Sequence, residues 1–356
     1  AGAATLALLL ALTVFSGASW AAEVPFDAYA TIETSYPGAR IISADLDGDG
    51  DLDLLGSTRN NEVTWWENAM GDGSTWTAHT LDASFENPRG IVAGDLDGDG
   101  DLDVAVAAFV SGAVRWYEND PSGALCGSPF CVATLTSSTF LSELAIGDLD
   151  HDGDLDLAVS APVRGEVMWI ENTAGDASAW SLESIDASLI AAGELALGDL
   201  DGDGDLDILA EARDTSAVGF AWYENTVGGG GSCAQSFCLQ TLGSGLGEGL
   251  AIADLDGDGD PDLVRSELGA GLSWWNNTTG DGSSFTKTPI TSSTTATMAI
   301  EPVDLDSDGD LDLLLGAGLW MDNAAGDAST WIERSLPMSA GGLRYAVGDF
   351  DLDGDG

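Results

Sequence analysis

Residues 45–53 read DLDGDGDLD, five carboxylates at alternate positions with two glycines between them. Like charges this close repel one another, so an empty run of this kind is unfavourable and makes sense only around something positive. Variants of the stretch start at Asp95, Asp148, Asp199, Asp254, Asp304 and Asp349, giving spacings of 50, 53, 51, 55, 50 and 45 residues from Asp45 onward. Self-similarity at a fixed period is a statement about architecture before it is one about chemistry.

Each unit keeps one order. A short apolar run (IISA, IVAG, LAIG, LALG, LAIA, YAVG) leads into the acidic motif, and a second run follows it (LDLLGS, LDVAVA, LDLAVS, LDILAE). A Trp-led segment comes next (VTWWEN, AVRWYEN, EVMWIEN, FAWYEN, LSWWNN, GLWMDN), then a segment with alternating apolar positions such as STWTAHTLD or SAWSLESID. All four are short, rich in aliphatic and aromatic residues, and punctuated by Gly, Asp, Asn and Ser, so they read as strands. Four strands in about 50 residues, repeated, is the pattern of a β-propeller blade rather than of a sandwich or a linear solenoid. The segment AYATIETS (residues 28–35) has the character of a fourth strand but precedes the first complete unit, whereas the last unit has its first strand and stops inside the acidic loop at Gly356. The expectation is an all-β, seven-bladed propeller of four-stranded blades, its last blade truncated and its N-terminal strand closing the ring.

The acidic loop reads as a metal cage. Asp at positions one, three and five, a backbone carbonyl at seven and Asp at nine can surround one hard cation with oxygen, and Gly at six permits the sharp turn. The first copy supplies Asp45, Asp47, Asp49, Asp51 (through its carbonyl) and Asp53. The second supplies Asp95, Asp97, Asp99, Asp101 and Asp103, and the third Asp148, Asp150, Asp152, Asp154 and Asp156. The fourth has Asp199, Asp201, Asp203, Asp205 and Asp207; the fifth Asp254, Asp256, Asp258, Asp260 and Asp262; the sixth Asp304, Asp306, Asp308, Asp310 and Asp312. Asp349, Asp351 and Asp353 begin a seventh site that lacks its closing Asp. Ligands that are all oxygen, without His or Cys, favour calcium over zinc, and their number favours it over magnesium. The first half of the loop is similar to an EF-hand, but the closing carboxylate arrives at nine instead of twelve and strands, not helices, flank it. About six complete calcium sites and one incomplete one are expected.

Composition agrees with a folded, cation-binding chain. Hydrophobic residues make up 44% and there are 12 Trp, which is wrong for disorder despite 61 acidic residues against 10 basic ones. A formal charge of −51 argues against nucleic acid, whose binding depends on Lys and Arg neutralising phosphates. Residues 1–22 hold an apolar run, LALLLALTVF, followed by SGASWAA, the pattern of a secretory signal with its cut after Ala21 and its start clipped. The run is about half the length of a spanning helix, so no membrane span is expected after cleavage. The mature domain would be 23–356, secreted or at the cell surface, or periplasmic in a bacterium. CGSPFC (Cys126, Cys131) and CAQSFC (Cys233, Cys238) each follow a Trp-Tyr-Glu-Asn segment and read as two local disulfides stapling equivalent hairpins.

The loop GDLDGDGDLDVAVA (residues 94–107), followed by AVRWYEN (residues 113–119) and an aromatic strand, resembles the FG-GAP-like repeats, also called VCBS repeats, related to the calcium-binding blades of integrin alpha subunits. The resemblance covers nearly all of residues 28–356. It implies a calcium-bound propeller that binds or adheres, to carbohydrate or to protein. Literal Phe-Gly and Gly-Ala-Pro signatures are absent, so integrin ligands are not implied.

In such a ring the metals share one face. On the other, Arg40, Arg89 and Arg344 sit five or six residues before the motif, where other units place Glu143, Glu194 and Glu248, and Arg59, Arg164 and Arg213 fall near the turn between the second and third strands. A ring polarised in this way is a candidate for holding a sugar, a peptide end or an acidic glycan. Equally, the charges pair with one another around the channel. The repeated Trp65, Trp116, Trp169, Trp222, Trp274 and Trp320 read as packing between blades, with Trp66, Tyr117, Tyr223 and Trp275 on the other side of the strand as exposed contacts. The two His, His79 and His151, fall in no nucleophile or base constellation, so a binding or adhesion module is favoured over an enzyme. A calcium-dependent propeller lyase or hydrolase, and a structural spacer of a larger surface protein, are the alternatives.

Overall fold

The computed structural model describes residues 9–12, 28–31, 38–58, 60–123, 125, 126, 128–138, 140–189, 192–212, 219–227, 235–292, 299–316, 318–335, 346–348 and 350. The repeat units form six separate four-stranded sheets, each with its strands in sequence order. In the first blade these are Gly38–Ala44, Asp53–Thr58, Glu62–Asn68 and Trp76–Asp82, paired antiparallel throughout. The first strands of successive sheets lie against one another, Gly38–Ala44 beside Pro88–Gly94 and so on to Ile300–Val303. The chain is therefore an all-β propeller of four-stranded blades, and six such blades are present among the described residues. Within those residues no helix is long and apolar enough to cross a membrane.

Burial explains the sequence pattern. Second strands such as Asp103–Ala108 and Asp156–Ala161 are buried at every position because both faces of a blade are covered, so they are apolar or small throughout instead of alternating. The cores lie between blades: Val92, Val114 and Trp116 of the second pack with Leu144, Leu157, Met168 and Ile170 of the third. For the same reason Trp66, Tyr117 and Tyr223, expected to be exposed, are buried (3%, 0% and 1% accessible), and Trp275 is half-buried beneath Lys287. The alternation of a strand gives one wet face only where that face meets water. Tyr117 and Tyr223 instead donate to Asp82 and Asp186, which end the fourth strands of the preceding blades (3.0 and 2.8 Å).

The seventh unit differs from expectation. Its residues 346–348 and 350 lie between the sixth and first blades: Val347 packs with Leu314 and Trp320, while Phe350 packs with Ile41, Leu54 and Trp66. A Cβ on Gly348 would meet Leu52 Cδ1 at 2.3 Å, as one on Gly94 would meet Leu155 Cδ1 of the next blade at 2.9 Å. The start of the seventh unit thus stands to the first blade as each blade stands to the next. The predicted closing strand, by contrast, occupies Ala28–Thr31 and pairs antiparallel with Leu9–Leu12 in a separate two-stranded sheet. An edge strand has unpaired N–H and C=O groups and takes an extended apolar partner that is at hand.

Candidate metal centres

The six acidic loops adopt one geometry. Asp at position one accepts the N–H of position six, from Gly50, Gly100, Gly153, Gly204, Gly259 and Gly309, at 3.0–3.1 Å. Position six has φ between 97° and 101° in every copy, a backbone only glycine takes at low cost. Position four has φ between 57° and 75°, within the left-handed region that other residues visit, which is why His151 and Ser307 are found there in place of glycine.

The ninth Asp is the lock of each loop. It is at most 1% accessible in all six blades (Asp53, Asp103, Asp156, Asp207, Asp262, Asp312). One oxygen accepts the N–H of the position-two Leu, and the other accepts the backbone N–H of the Asn that ends the Trp-led strand, for example Leu96 at 3.2 Å and Asn119 at 2.8 Å on Asp103. Burial pushes Asp103, Asp207 and Asp312 up to about 7, against the N–H donors that hold them. Burial, then the charges of Asp53 and Asp49, push Asp47 up to about 6, and Asp201 is raised similarly. Each loop therefore concentrates carboxylates whose ionised form the protein alone disfavours.

These residues fit a cation. Carboxylate oxygens of Asp45, Asp47 and Asp49 lie within 4.8 Å of one another, as do those of Asp95, Asp97 and Asp99, of Asp199, Asp201 and Asp203, and of Asp148, Asp150 and Asp156. Asp254, Asp256 and Asp262 form a further group. Buried oxygens of Asp45, Asp51, Asp148, Asp256 and Asp306 lack any hydrogen-bond donor, an expensive condition unless a cation faces them. Asp349, Asp351 and Asp353 lie outside the described residues.

The sequence reading passed over the Asn that closes each Trp-led segment, although it is constant in all six. Its side-chain N–H reaches back to the position-two carbonyl of the preceding blade: Asn119 to Leu46 (2.7 Å), Asn172 to Leu96 (2.9 Å), Asn225 to Leu149 (2.8 Å), Asn277 to Leu200 (2.9 Å) and Asn323 to Leu255 (2.9 Å). Asn68 completes the circle on Phe350 at 2.8 Å. Five of the six also approach the position-eight carbonyl of their own loop, as Asn119 does on Leu102 at 3.1 Å and Asn225 on Leu206 at 2.9 Å.

The hairpins beside these loops come in two kinds. In blades one, three, five and six an Asp accepts from a Ser two residues on, and those four carboxyls (Asp72, Asp176, Asp281, Asp327) are lowered by the Ser donors. In the second blade the hairpin carries the Cys126–Cys131 disulfide instead, with Cα atoms 5.8 Å apart. Cys238 of the fourth blade is also disulfide-bonded, and Cys233 lies outside the described residues.

At the channel mouth, among the described residues, opposite charges meet across the blades. Arg40 of the first blade reaches Glu143 at 2.8 Å and Glu194 at 3.4 Å, in the third and fourth units, and both carboxylates are nearly fully buried. Arg40 and Glu194 line a cavity of about 270 Å³ with Ser43, Leu250 and Glu301. Glu301, which the sequence reading missed, is accessible to this cavity yet surrounded by protein, and that desolvation raises its carboxyl against the pull of Arg40. Arg89 is turned to its own blade, its guanidinium 3.6 Å over the Phe109 ring, and Glu248 is half-buried. Arg164 pairs with Glu166 at 2.9 Å. Arg59, Arg213 and Arg344 lie outside the described residues.

Both His gain carboxylate partners. His79 pairs with Glu67 at 2.7 Å and stacks on Trp65, and His151 reaches across to Asp205 of the next acidic loop at 2.6 Å.

Residues 45–106, 97–159, 148–210 and 254–315 match the FG-GAP-like repeat family. No curated protein matches the chain. Among solved structures, the chain is similar to the crystal structure of BBS1N in complex with ARL6DN, soaked with lead, at 13% identity and a TM-score of 0.55, covering 85% of this chain and 83% of that one. A second crystal of the same complex, soaked with mercury, gives 14% identity, a TM-score of 0.52 and coverage of 85% and 81%. At these identities the likeness is one of fold.

Proposed function

Because the chain belongs to the FG-GAP-like repeat family, we propose that it is a secreted, calcium-stabilised propeller acting as a binding or adhesion module for carbohydrate or protein. The observation that carries the calcium reading is the loop repeated in six blades, with buried carboxylate oxygens in the first, third, fifth and sixth copies that no donor in the protein satisfies. Positions one, three, five and nine and the carbonyl of position seven would hold the ion, which supplies the charge that the loop lacks. The packing of Val347 and Phe350 between the sixth and first blades supports a seven-bladed ring. A disulfide stapling an outer hairpin suits an oxidising, extracellular compartment.

Binding is assigned to the channel mouth, because Arg40, Glu194 and Glu301 converge there on a cavity whose exposed lining is mainly polar. Calorimetric calcium titration is expected to show binding that chelator reverses; a silent titration sinks the calcium reading. Glycan and peptide panels are expected to give ligands lost on Arg40→Ala with Glu194→Gln in protein that still folds. Unchanged binding by that variant removes the mouth from consideration.

A further inference from the structure

We infer that the six asparagines couple neighbouring cation loops, so that cations bind cooperatively around the ring. The inference rests on the loops being cation sites and adds how those sites communicate. One carboxamide stands between two loops at each blade junction. On one side it holds the position-two carbonyl of the preceding loop, a residue lying between the Asp residues at that loop's positions one and three. On the other, in five of the six, it approaches the position-eight carbonyl of its own loop, one peptide beyond the position-seven carbonyl. Asn119 shows both contacts, 2.7 Å to Leu46 and 3.1 Å to Leu102.

Its backbone is fixed as well, since Asn119 N–H donates to Asp103, the lock of its own loop, at 2.8 Å. The amide cannot swing to follow one loop without releasing the other. A cation that orders the second loop sets the Leu102 carbonyl and the Asp103 carboxylate, hence the carboxamide, hence the Leu46 carbonyl between Asp45 and Asp47. The coupling is local, passing from one blade to the next, and Asn68 carries it from the first blade to Phe350.

Electrostatics alone predicts the opposite sign. A dication bound in one loop repels a dication in the next, so filling one would weaken its neighbours. Positive coupling between adjacent loops is therefore a signature of the mechanical route. The loops of blades one and two are the pair to test, since His151 and Asp205 add a second link between blades three and four.

The experiment is a calcium titration of the full chain labelled with 15N-glycine, following the position-six amides Gly50, Gly100, Gly153, Gly204, Gly259 and Gly309 as one reporter per loop. In the unaltered protein the curves are expected to have Hill slopes above one. Emptying the second loop with Asp97→Asn and Asp99→Asn is expected to weaken calcium at Gly50 by about 5-fold, the lower end of ordinary coupling between sites. Adding Asn119→Ala is expected to abolish that effect at Gly50 while the coupling of Gly204 to Gly259, carried by Asn277, persists. A residue that merely held the blades together would lower the melting temperature without separating one pair of loops from the others. Slopes at or below one, or a Gly50 loop that binds unchanged or tighter when its neighbour is emptied, overturn the coupling and leave the loops as independent calcium sites. Absence of any calcium-dependent shift overturns both readings. Should Asn119→Ala not fold, the slopes of the unaltered protein and the Gly50 response to the emptied loop decide the matter.

Discussion

Two glycines in the same loop carry different weights, and φ tells them apart. Gly100 stands at 101°, where a Cβ is strained whatever the space around it. Gly100→Ala is therefore expected to cost about 1–3 kcal/mol, read from the urea midpoint in calcium. Ser307 stands at 57°, in the left-handed region, where an L residue pays about 1 kcal/mol. Ser307→Gly is expected to be neutral or stabilising by up to that amount, and a loss would show that its hydroxyl matters. The buried locks give a pH prediction at the same scale. Burial pushes the folded carboxyls of Asp103, Asp207 and Asp312 up to about 7, above the ordinary carboxylate value of 3.8, so the cation-free fold binds more protons than the unfolded chain between those values. Their contribution is fully present below about pH 4 and is lost as pH rises through about 7. The melting temperature of chelated protein should fall from pH 5 to pH 8. Calcium binds the ionised loops, so its stabilising effect should grow over the same window, and parallel pH profiles with and without calcium would contradict this.

At the scale of strands, the fifth blade carries a device of its own. Arg265, 1% accessible, donates to Glu211 of the fourth blade through Nε (2.7 Å) and Nη2 (2.9 Å), to the Gly245 carbonyl (2.9 Å) and to Glu267 (2.7 Å). Burial raises the Glu211 carboxyl, with the guanidinium opposing it. Removing one partner strands a buried charge, so Arg265→Met alone is expected to cost about 3–5 kcal/mol. Adding Glu211→Leu is expected to recover most of it by chemical denaturation, and no recovery would mean that the pair has a role beyond mutual neutralisation. None of this could be read from the chain, because Arg265 and Glu211 are 54 residues apart and belong to different blades. The four strands and the acidic loops were legible because they depend on local period, Gly placement and repetition. The closing Asn was visible as a constant letter, but its partner lies in the loop of another blade, so only the three-dimensional ring gives it a task. Likewise the alternation rule that placed Trp66 and Tyr117 toward solvent assumes a strand with a wet face, and a blade sandwiched between two others has none.

For the whole molecule the dominant fact is charge. A formal −51 on 356 residues opposes compaction, and six bound dications would bring it only to −39. On the proposed reading calcium acts through the loops and not by general neutralisation, and this distinction can be measured. With affinities typical of extracellular sites, about 10⁻⁴ to 10⁻³ M, calcium at ~1 mM stabilises by about 0.4–1.4 kcal/mol per site. Six loops would together supply about 2–8 kcal/mol, comparable with the net stability of a domain. Sodium chloride at the same ionic strength should leave the melting temperature unchanged. At about 1 M, where the screening length is about 3 Å, it should recover part of the effect by damping repulsion between loops. Magnesium at ~1 mM should fall short of calcium, because it demands octahedral geometry and retains its waters, whereas the loop presents a crowded set of oxygens. The expected ranking is calcium above magnesium above matched sodium chloride, in thermal unfolding of chelator-treated protein. If matched sodium chloride equals calcium, the acidic loops are solvated turns that answer only to ionic strength, and the orphaned oxygens of Asp45, Asp148 and Asp306 would need another partner.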